Sequence, residues 1–240
     1  MTINDINKEC MPKHIAIIMD GNRRWAKEKG IEVKLGHKAG AENLEKLAYF
    51  ANDLGLKYLT VYAFSTENWK RTKEEVGALM LLLRAYIDKL LKRTTSDNIR
   101  IKVLGDIEKI DEGLRKDILK IVESTKNNTG LTLNIAFNYG GRDEITKAVK
   151  KIASKVASNE LNMQDINEQL ISDNLYTEGE PDPDLVIRTG GELRVSNFLL
   201  WQIAYAEFLY VQKYWPDFSE DDLVDAIVTF QNRNRKFGGK

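Results

Sequence analysis

Short apolar runs rich in β-formers alternate with longer stretches at helical spacing along almost the whole chain. That alternation constrains the fold more than any other feature. Residues 14–19 (HIAIIM), 58–64 (YLTVYAF), 99–104 (IRIKVL), 131–137 (LTLNIAF), 185–187 (LVI) and 207–211 (EFLYV) are strand candidates. Helical candidates lie between them at about 40–54, 73–93, 111–125 and 141–157, with a shorter one at 164–172 and a last one at 219–236. Gly55 suits the stop of the first. Strands separated by helices favour an α/β fold with a mainly parallel, six-stranded sheet flanked by helices.

No internal repeat, low-complexity segment or Pro/Gly/Ser-rich linker divides the 240 residues, so one domain spanning 1–240 is expected, with 1–12 as a flexible N-terminal segment. With 42% hydrophobic and 30% charged residues there is apolar mass for a real core. Lys+Arg and Asp+Glu both number 36, whereas a dedicated nucleic-acid binder shows a basic excess. The run Lys147, Lys150, Lys151 and Lys155 therefore reads as a solvated helix face. Any anion site must be a local cluster. The single cysteine, Cys10, forms neither an internal disulfide nor a Cys-based zinc site, which points to a reducing compartment, the cytoplasm. Residues 1–13 lack the apolar core of a signal peptide. The densest apolar patch, 78–83, is far short of a membrane span.

The helix expected over 73–93 carries Val76, Leu79, Met80, Leu83, Tyr86, Ile87, Leu90 and Leu91 at helical repeat, and Leu81 and Leu82 widen that face. Two readings follow: a helix buried on most sides, or one whose face lines an apolar tunnel or a dimer contact.

In open parallel sheets ligands bind beyond the carboxyl ends of the strands. Four segments that follow strand candidates carry six arginines among them: 20–25 (DGNRRW), 65–71 (STENWKR), 138–142 (NYGGR) and 188–197 (RTGGELRVSN). Asp20 directly follows an apolar strand, which would hold its carboxylate rigidly. Gly21 permits close approach of backbone N–H groups to an anion. Arg23 and Arg24 can grip phosphate oxygens with a fixed fork. Alone, Asp20-Gly21 could equally be a turn. Arg188 and Arg194 around Gly190-Gly191, with Ser196, form a second anion clamp, or a surface salt bridge through Glu192. Glu207 opens a strand and reads from its position as a strand-edge charge. His37, between Gly36 and Lys38, is a cap, a surface residue or a phosphate contact. His14 has no evident partner. The chain has no G-x-x-x-x-G-K-[ST] loop, no G-x-G-x-x-G after a strand, no H-E-x-x-H and no G-x-S-x-G. It offers anion clamps without the usual nucleotide loops or a covalent nucleophile.

The blocks HIAIIMDGNRRWAKEKG (14–30), GHKAG (36–40), VYAFSTENWKR (61–71), LNIAFNYGGRDEI (133–145), DPDLVIRTGGELRVSNFLLWQIAYAEF (182–208) and WPDF (215–218) run in order over nearly the whole chain. Together they resemble the cis-prenyltransferases, and specifically the bacterial undecaprenyl diphosphate synthases. The resemblance implies a parallel sheet enclosing an apolar tunnel, a homodimer and Mg2+. It implies condensation of isopentenyl diphosphate onto an allylic diphosphate such as farnesyl diphosphate, giving a long-chain Z-polyprenyl diphosphate that serves as lipid-carrier precursor for cell-wall glycans. A shorter-chain synthase and a non-catalytic subunit are the alternatives; the latter should have lost the first-loop acid or the fifth-strand arginines, and both are present. Peripheral membrane contact at the inner face would let the product leave.

By the same resemblance Asp20 is the essential carboxylate at the metal and Glu207 a second one, which overrides its strand-edge reading. Gly21, Asn22, Arg23, Arg24 and Trp25, with His37 and Arg71, match positions around the allylic diphosphate. Ser65, Thr66, Glu67, Asn68 and Trp69 match the loop beside the reacting carbon. Arg188, Arg194, Val195 and Ser196 match the clamp for isopentenyl diphosphate. The family reading gives the proton to the Asn68 position. An amide oxygen is very weakly basic, so a diphosphate oxygen is the better acceptor, with Asn68 orienting it. The chain departs from the family's usual pattern at Arg23 (often a small residue), Val33 (often arginine), Gly190 (commonly serine) and Leu200 (frequently proline); of these, Val33 removes an expected diphosphate contact. Finally, Asp221-Asp222-Leu223-Val224-Asp225 matches the D-D-x-x-D motif of the trans-prenyltransferases. It occurs once and in an α/β context, and Ser219 before it fits an N-cap, so it reads as a helix start.

Overall fold

The computed structural model describes residues 1–93 and 97–233. Six strands form one sheet in the order β3-β4-β2-β1-β5-β6: β1 (His14–Ile18), β2 (Tyr58–Ser65), β3 (Arg100–Leu104), β4 (Thr132–Tyr139), β5 (Leu185–Arg188) and β6 (Glu207–Tyr210). Every neighbouring pair is parallel, so the sheet is wholly parallel. All six strand candidates are present, with ends displaced by one or two residues. The helices are α1 (Asn22–Glu28), α2 (Val33–Asp53), α3 (Lys73–Arg93), α4 (Glu112–Thr125), α5 (Gly141–Ala157), α6 (Glu168–Ser172) and α7 (Glu220–Gln231).

Period-2 alternation sends strand side chains to two unequal cores. Ile15, Ile17, Leu59, Val61 and Leu133 pack on one face beneath α2, α3, α4 and α7. Ala16, Ile18, Ala136 and Val186 face the other way, onto a smaller cluster with Tyr139, Phe198, Leu199 and Ile203. Glu144 of α5 is buried there. Tyr139 Oη and Gln202 Nε2 donate to one of its oxygens and the Tyr176 N–H to the other. Burial pushes its carboxyl above the ordinary value against these donors.

Three boundaries differ from the sequence expectation. Helix α2 begins at Val33 rather than near Gly40. Gly36 and Gly40 do not break it; they let it cross α1 closely. A Cβ on Gly36 would lie 2.3 Å from the Asn22 carbonyl oxygen, and one on Gly40 would lie 2.4 Å from Asn22 Oδ1. The helix expected over 164–172 is a 3-10 turn, Met163–Asp165, and then α6, separated by Asn167, whose side chain accepts from the Leu170 N–H as an N-cap. Helix α7 ends at Gln231, and the expected continuation from 234 to 236 lies outside the described residues. At its start Ser219 and Asp222 form a reciprocal capping box, so the D-D-x-x-D segment is a helix N-terminus.

His14 is fully buried. Its Nδ1 pairs with the Pro181 carbonyl at 2.7 Å and its Nε2 with Thr60 Oγ1 at 2.7 Å, and burial holds its pKa below the ordinary value. It is a core histidine with both nitrogens engaged. Lys147 pairs with Asp106 and Asp143, each at 2.8 Å, while Lys150 and Lys151 are exposed.

Candidate active site

The strand order fixes where a ligand fits. From β1 the chain moves to β2 on one side, and from β5 to β6 on the other. The crevice between the carboxyl ends of β1 and β5 is therefore the switch point of the sheet. Asp20 follows β1 there and Arg188 ends β5. Arg188 Nη2 donates to Asp20 Oδ2 at 2.8 Å, and Arg24 Nη2 lies 3.1 Å from Asp20 Oδ1. The Asp20 backbone is tied down as well: its N–H donates to Thr189 Oγ1 at 3.0 Å, and its carbonyl accepts from that hydroxyl at 2.7 Å and from the Trp215 N–H at 3.0 Å. Next to it Gly21 has φ +110°, and a Cβ would meet Tyr214 Cδ1 at 2.6 Å; only glycine fits this turn.

Arg188 is 3% exposed, and its Nη1 also donates to the Arg194 carbonyl and, at 2.8 Å, to Ser196 Oγ. Its Nε has no partner. Val195 is half-buried against the smaller core. The Arg194 side chain is 62% exposed and sits 2.5 Å from Glu192, which also reaches Arg24 at 3.5 Å. The salt bridge weighed for this loop thus forms, at its exposed rim.

A second group, two arginines and a histidine, gathers one step away. Arg71 Nη1 lies 2.9 Å and His37 Nε2 3.3 Å from Glu75 Oε1, while Arg23 Nη1 lies 3.4 Å from Glu75 Oε2. Burial holds the His37 imidazole below its ordinary value, against the pull of Glu75. His37 is the fifth residue of α2 rather than a cap, and Glu75 stands in the first turn of α3. Sequence reading missed Glu75. Its i,i+4 spacing from Arg71 was the available signal.

The loop after β2 joins these groups. The register of β2 against β4 shifts twice between Tyr62 and Ser65, which re-aims the strand end. Thr66–Lys70 is then a 3-10 turn in which Asn68 Oδ1 accepts the Ser65 N–H at 3.1 Å. Thr66 Oγ1 donates to Glu67 Oε2 at 3.2 Å, and Asn197 Nδ2 donates to Glu67 Oε1 at 2.9 Å. Burial raises the Glu67 pKa, but these donors and its own backbone N–H outweigh that and leave it below the ordinary value. Trp69 Nε1 donates to Asn138 Oδ1 at 2.7 Å. Asn197 Oδ1 accepts the Arg142 N–H at 2.9 Å, so all four arginine-bearing segments meet on one edge.

A polar cleft is lined by Asp20, Gly21, Asn22, Arg23, Arg24, His37 and Arg71. Beside it, under α2 and α3, lies an apolar cavity of about 1230 Å³, its open mouth included. Leu79, Leu82, Leu83, Tyr86 and Ile87 of α3 line it, whereas Leu81 is 70% exposed; the helix is not buried on most sides. The side chains of Leu90 and Leu91 lie outside the described residues. Met19, Asn22 and His37 line both cleft and cavity, so the two are contiguous. The buried Asn22 Oδ1 and Trp25 Nε1 lack partners.

Glu207 is placed elsewhere. It opens β6 level with Leu185, at the opposite end of β5 from Arg188, and its carboxylate pairs with Arg233 at 2.9 Å. Parallel strands put a first residue and a last residue on different edges, so one chain does not bring Glu207 to Asp20.

A basic cleft at the switch point of a parallel sheet, opening onto an apolar cavity, defines an enzyme class that takes an anionic head with a hydrocarbon tail. The comparisons identify the family. Residues 18–238 match the Prenyltransf family model, described as "Putative undecaprenyl diphosphate synthase". The chain is 52% identical to the isoprenyl transferase of Clostridium tetani over 98% of its own length and 92% of the relative's. It is 48% identical to the farnesyl-diphosphate-specific ditrans,polycis-undecaprenyl-diphosphate synthase of Micrococcus luteus, over 98% of this chain and 95% of that one. The crystal structure of lavandulyl diphosphate synthase from Lavandula x intermedia, in complex with dimethylallyl diphosphate, superposes with a TM-score of 0.93 at 39% identity, covering 96% of this chain and 100% of that one. A probable undecaprenyl diphosphate synthase from Campylobacter jejuni gives 0.78 at 34%, covering 95% and 99%. The chain belongs to the undecaprenyl diphosphate synthase family and is a prenyl-transferring enzyme.

Proposed function

We propose that this enzyme condenses isopentenyl diphosphate onto farnesyl diphosphate to build a long-chain Z-polyprenyl diphosphate. The observation that carries this reading is the shared wall of Met19, Asn22 and His37 between the basic cleft and the apolar cavity. An allylic substrate needs its diphosphate in one and its tail in the other. Arg23, His37 and Arg71 hold that diphosphate, with Gly21, Asn22 and Arg24 around it and Trp25 behind. The cavity is the growing chain's tunnel. Arg188, Arg194 and Ser196, held in shape by Val195, take isopentenyl diphosphate, and the unfilled Arg188 Nε suits an anion.

Breaking the allylic carbon–oxygen bond separates charge, and preorganised arginines stabilise the departing diphosphate. The alkene of isopentenyl diphosphate then attacks the allylic carbon and loses a proton to a diphosphate oxygen. Asn68 is a poor candidate for that base, because an amide oxygen is very weakly basic. Its amide oxygen accepts the Ser65 N–H, and it orients the turn of Ser65, Thr66, Glu67 and Trp69 beside the reacting carbon.

Mg2+ usually takes one or two carboxylates together with waters and substrate phosphates. Asp20, with half-exposed oxygens at the junction of both clusters, fits that donor role; bound there, the ion would neutralise charge on the phosphates. A part for Glu207 in the metal site rests on the family resemblance. So does assembly as a homodimer. Among the described residues no helix is long and apolar enough to cross a membrane. The product would be handed over through peripheral contact at the inner face.

Incubation with farnesyl diphosphate, labelled isopentenyl diphosphate and Mg2+, followed by sizing of the products, tests the reading. Long, solvent-extractable polyprenyl diphosphates are expected. One or two additions only would mark a shorter-chain synthase, and no product a non-catalytic subunit.

A further inference from the structure

Glu75 is the one acid in the first basic cluster. It is 11% exposed, and its two oxygens contact Arg71, His37 and Arg23 at 2.9, 3.3 and 3.4 Å. These are three groups assigned above to the allylic diphosphate. A carboxylate in their midst is anomalous for a site that must bind an anion of several negative charges. The second cluster has acids of its own, but Asp20 there is the proposed donor to a cation that would stand before the phosphates, and Glu192 pairs with Arg24 and Arg194 at the exposed rim.

We propose that Glu75 is a positioning residue that stands in for diphosphate when the first cluster is empty. This rests on the reading of that cluster as the allylic diphosphate site. Two guanidiniums held close together repel one another, and with the buried imidazole beside them they are partly desolvated. One internal anion neutralises them and keeps their donors converged. Diphosphate, with more charge and more acceptor oxygens, takes over these contacts and displaces the carboxylate. When inorganic diphosphate must leave after a condensation, the carboxylate competes for the same donors and lowers the barrier to release. Its place at the start of α3 makes the exchange mechanical as well as electrostatic. Glu75 lies four residues beyond Arg71 and the turn beside the reacting carbon, and the same helix lines the cavity that receives the tail.

The sign of the effect separates this role from a structural one. A merely structural Glu75 would, on removal, loosen the cluster and weaken anion binding. A competing Glu75 would, on removal, strengthen it. Calorimetric titration of the full-length protein with inorganic diphosphate is the direct test. Glu75→Gln, which keeps shape and removes charge, is expected to bind about tenfold tighter than the parent. Glu75→Asp, which withdraws the charge by one methylene, is expected to fall between them and decides the matter should the Gln variant not fold. Steady-state kinetics of Glu75→Gln should show KM for the allylic substrate and kcat falling together, because release slows. Equal or weaker diphosphate binding by both variants, with the parent binding normally, overturns the role of Glu75 alone. Absence of diphosphate binding by the parent and both variants overturns the diphosphate reading of the cluster and this proposal with it.

Discussion

The two basic clusters at the carboxyl edge of the sheet solve one problem, holding several cations ready for an anion, with opposite arrangements. In the first, mobile-length side chains from α1, α2 and the loop before α3 converge on a single carboxylate, and the group opens directly onto the apolar cavity. In the second, one buried arginine at the end of β5 is fixed by Asp20, the Arg194 carbonyl and Ser196, while its companion Arg194 reaches into solvent. The first is adaptable and adjoins space for a tail. The second is rigid at its base and open at its rim, and neither Arg188 nor Arg194 is among the residues that line the apolar cavity. On the proposed assignment, that difference would let one sheet edge distinguish two substrates with the same diphosphate head.

The largest effect should come from the residue at the junction of the two, Asp20. Asp20→Ala is expected to lower kcat by about 100-fold or more, the scale of losing a preorganised electrostatic group, with the circular dichroism spectrum preserved. Turnover within tenfold of the parent would detach Asp20 from the reaction. Arg194→Ala should separate the clusters. It should raise KM for isopentenyl diphosphate about 10- to 150-fold, the equivalent of about 1.5–3 kcal/mol, and leave that for the allylic substrate far less changed. The reverse preference would mean the two substrates had been assigned to the wrong clusters.

A gain, not a loss, should sharpen the first cluster. Val33 opens α2 one turn before His37 and so shares its face, while Lys34 is turned aside to Glu32 at 2.7 Å. Val33→Arg should tighten farnesyl diphosphate by about threefold in direct binding, within the range of a partly exposed charge contact. Weaker affinity would show the position already served by another group. Smallest for catalysis should be changes outside both clusters. Asp221→Asn with Asp225→Asn should keep parental turnover and Mg2+ dependence. Ser219→Ala should lower the melting temperature by an amount matching about 0.5–2 kcal/mol without moving the Mg2+ optimum. A large Mg2+ shift in the double variant would place the metal at α7 and withdraw it from Asp20.

Local pattern made the strands readable because side-chain periodicity and chain punctuation report directly on backbone state. Residues 15–18 and 185–187 are continuous apolar runs because a central parallel strand is covered on both faces. The α2 boundary was not readable, because a glycine that breaks a helix and one that admits a neighbouring helix are the same residue in sequence. The Asn22 contacts that distinguish them are tertiary. Much the same separates the two histidines. Neither His14, at the head of an apolar run, nor His37, between Gly36 and Lys38, shows its partners in sequence, and only packing reveals that one is enclosed by Thr60 and Pro181 and the other faces Glu75.

The sequence by itself determined the parallel α/β sheet, the four arginine-bearing segments at its carboxyl edge and the family, because each is written in residues close together along the chain. Tertiary structure alone decided which cations share an anion, that the cleft and the cavity have a common wall, and that Glu207 and Asp20 lie at opposite ends of the sheet. These are distances between residues far apart in sequence, set by strand order, register and helix crossing, and no local pattern encodes them.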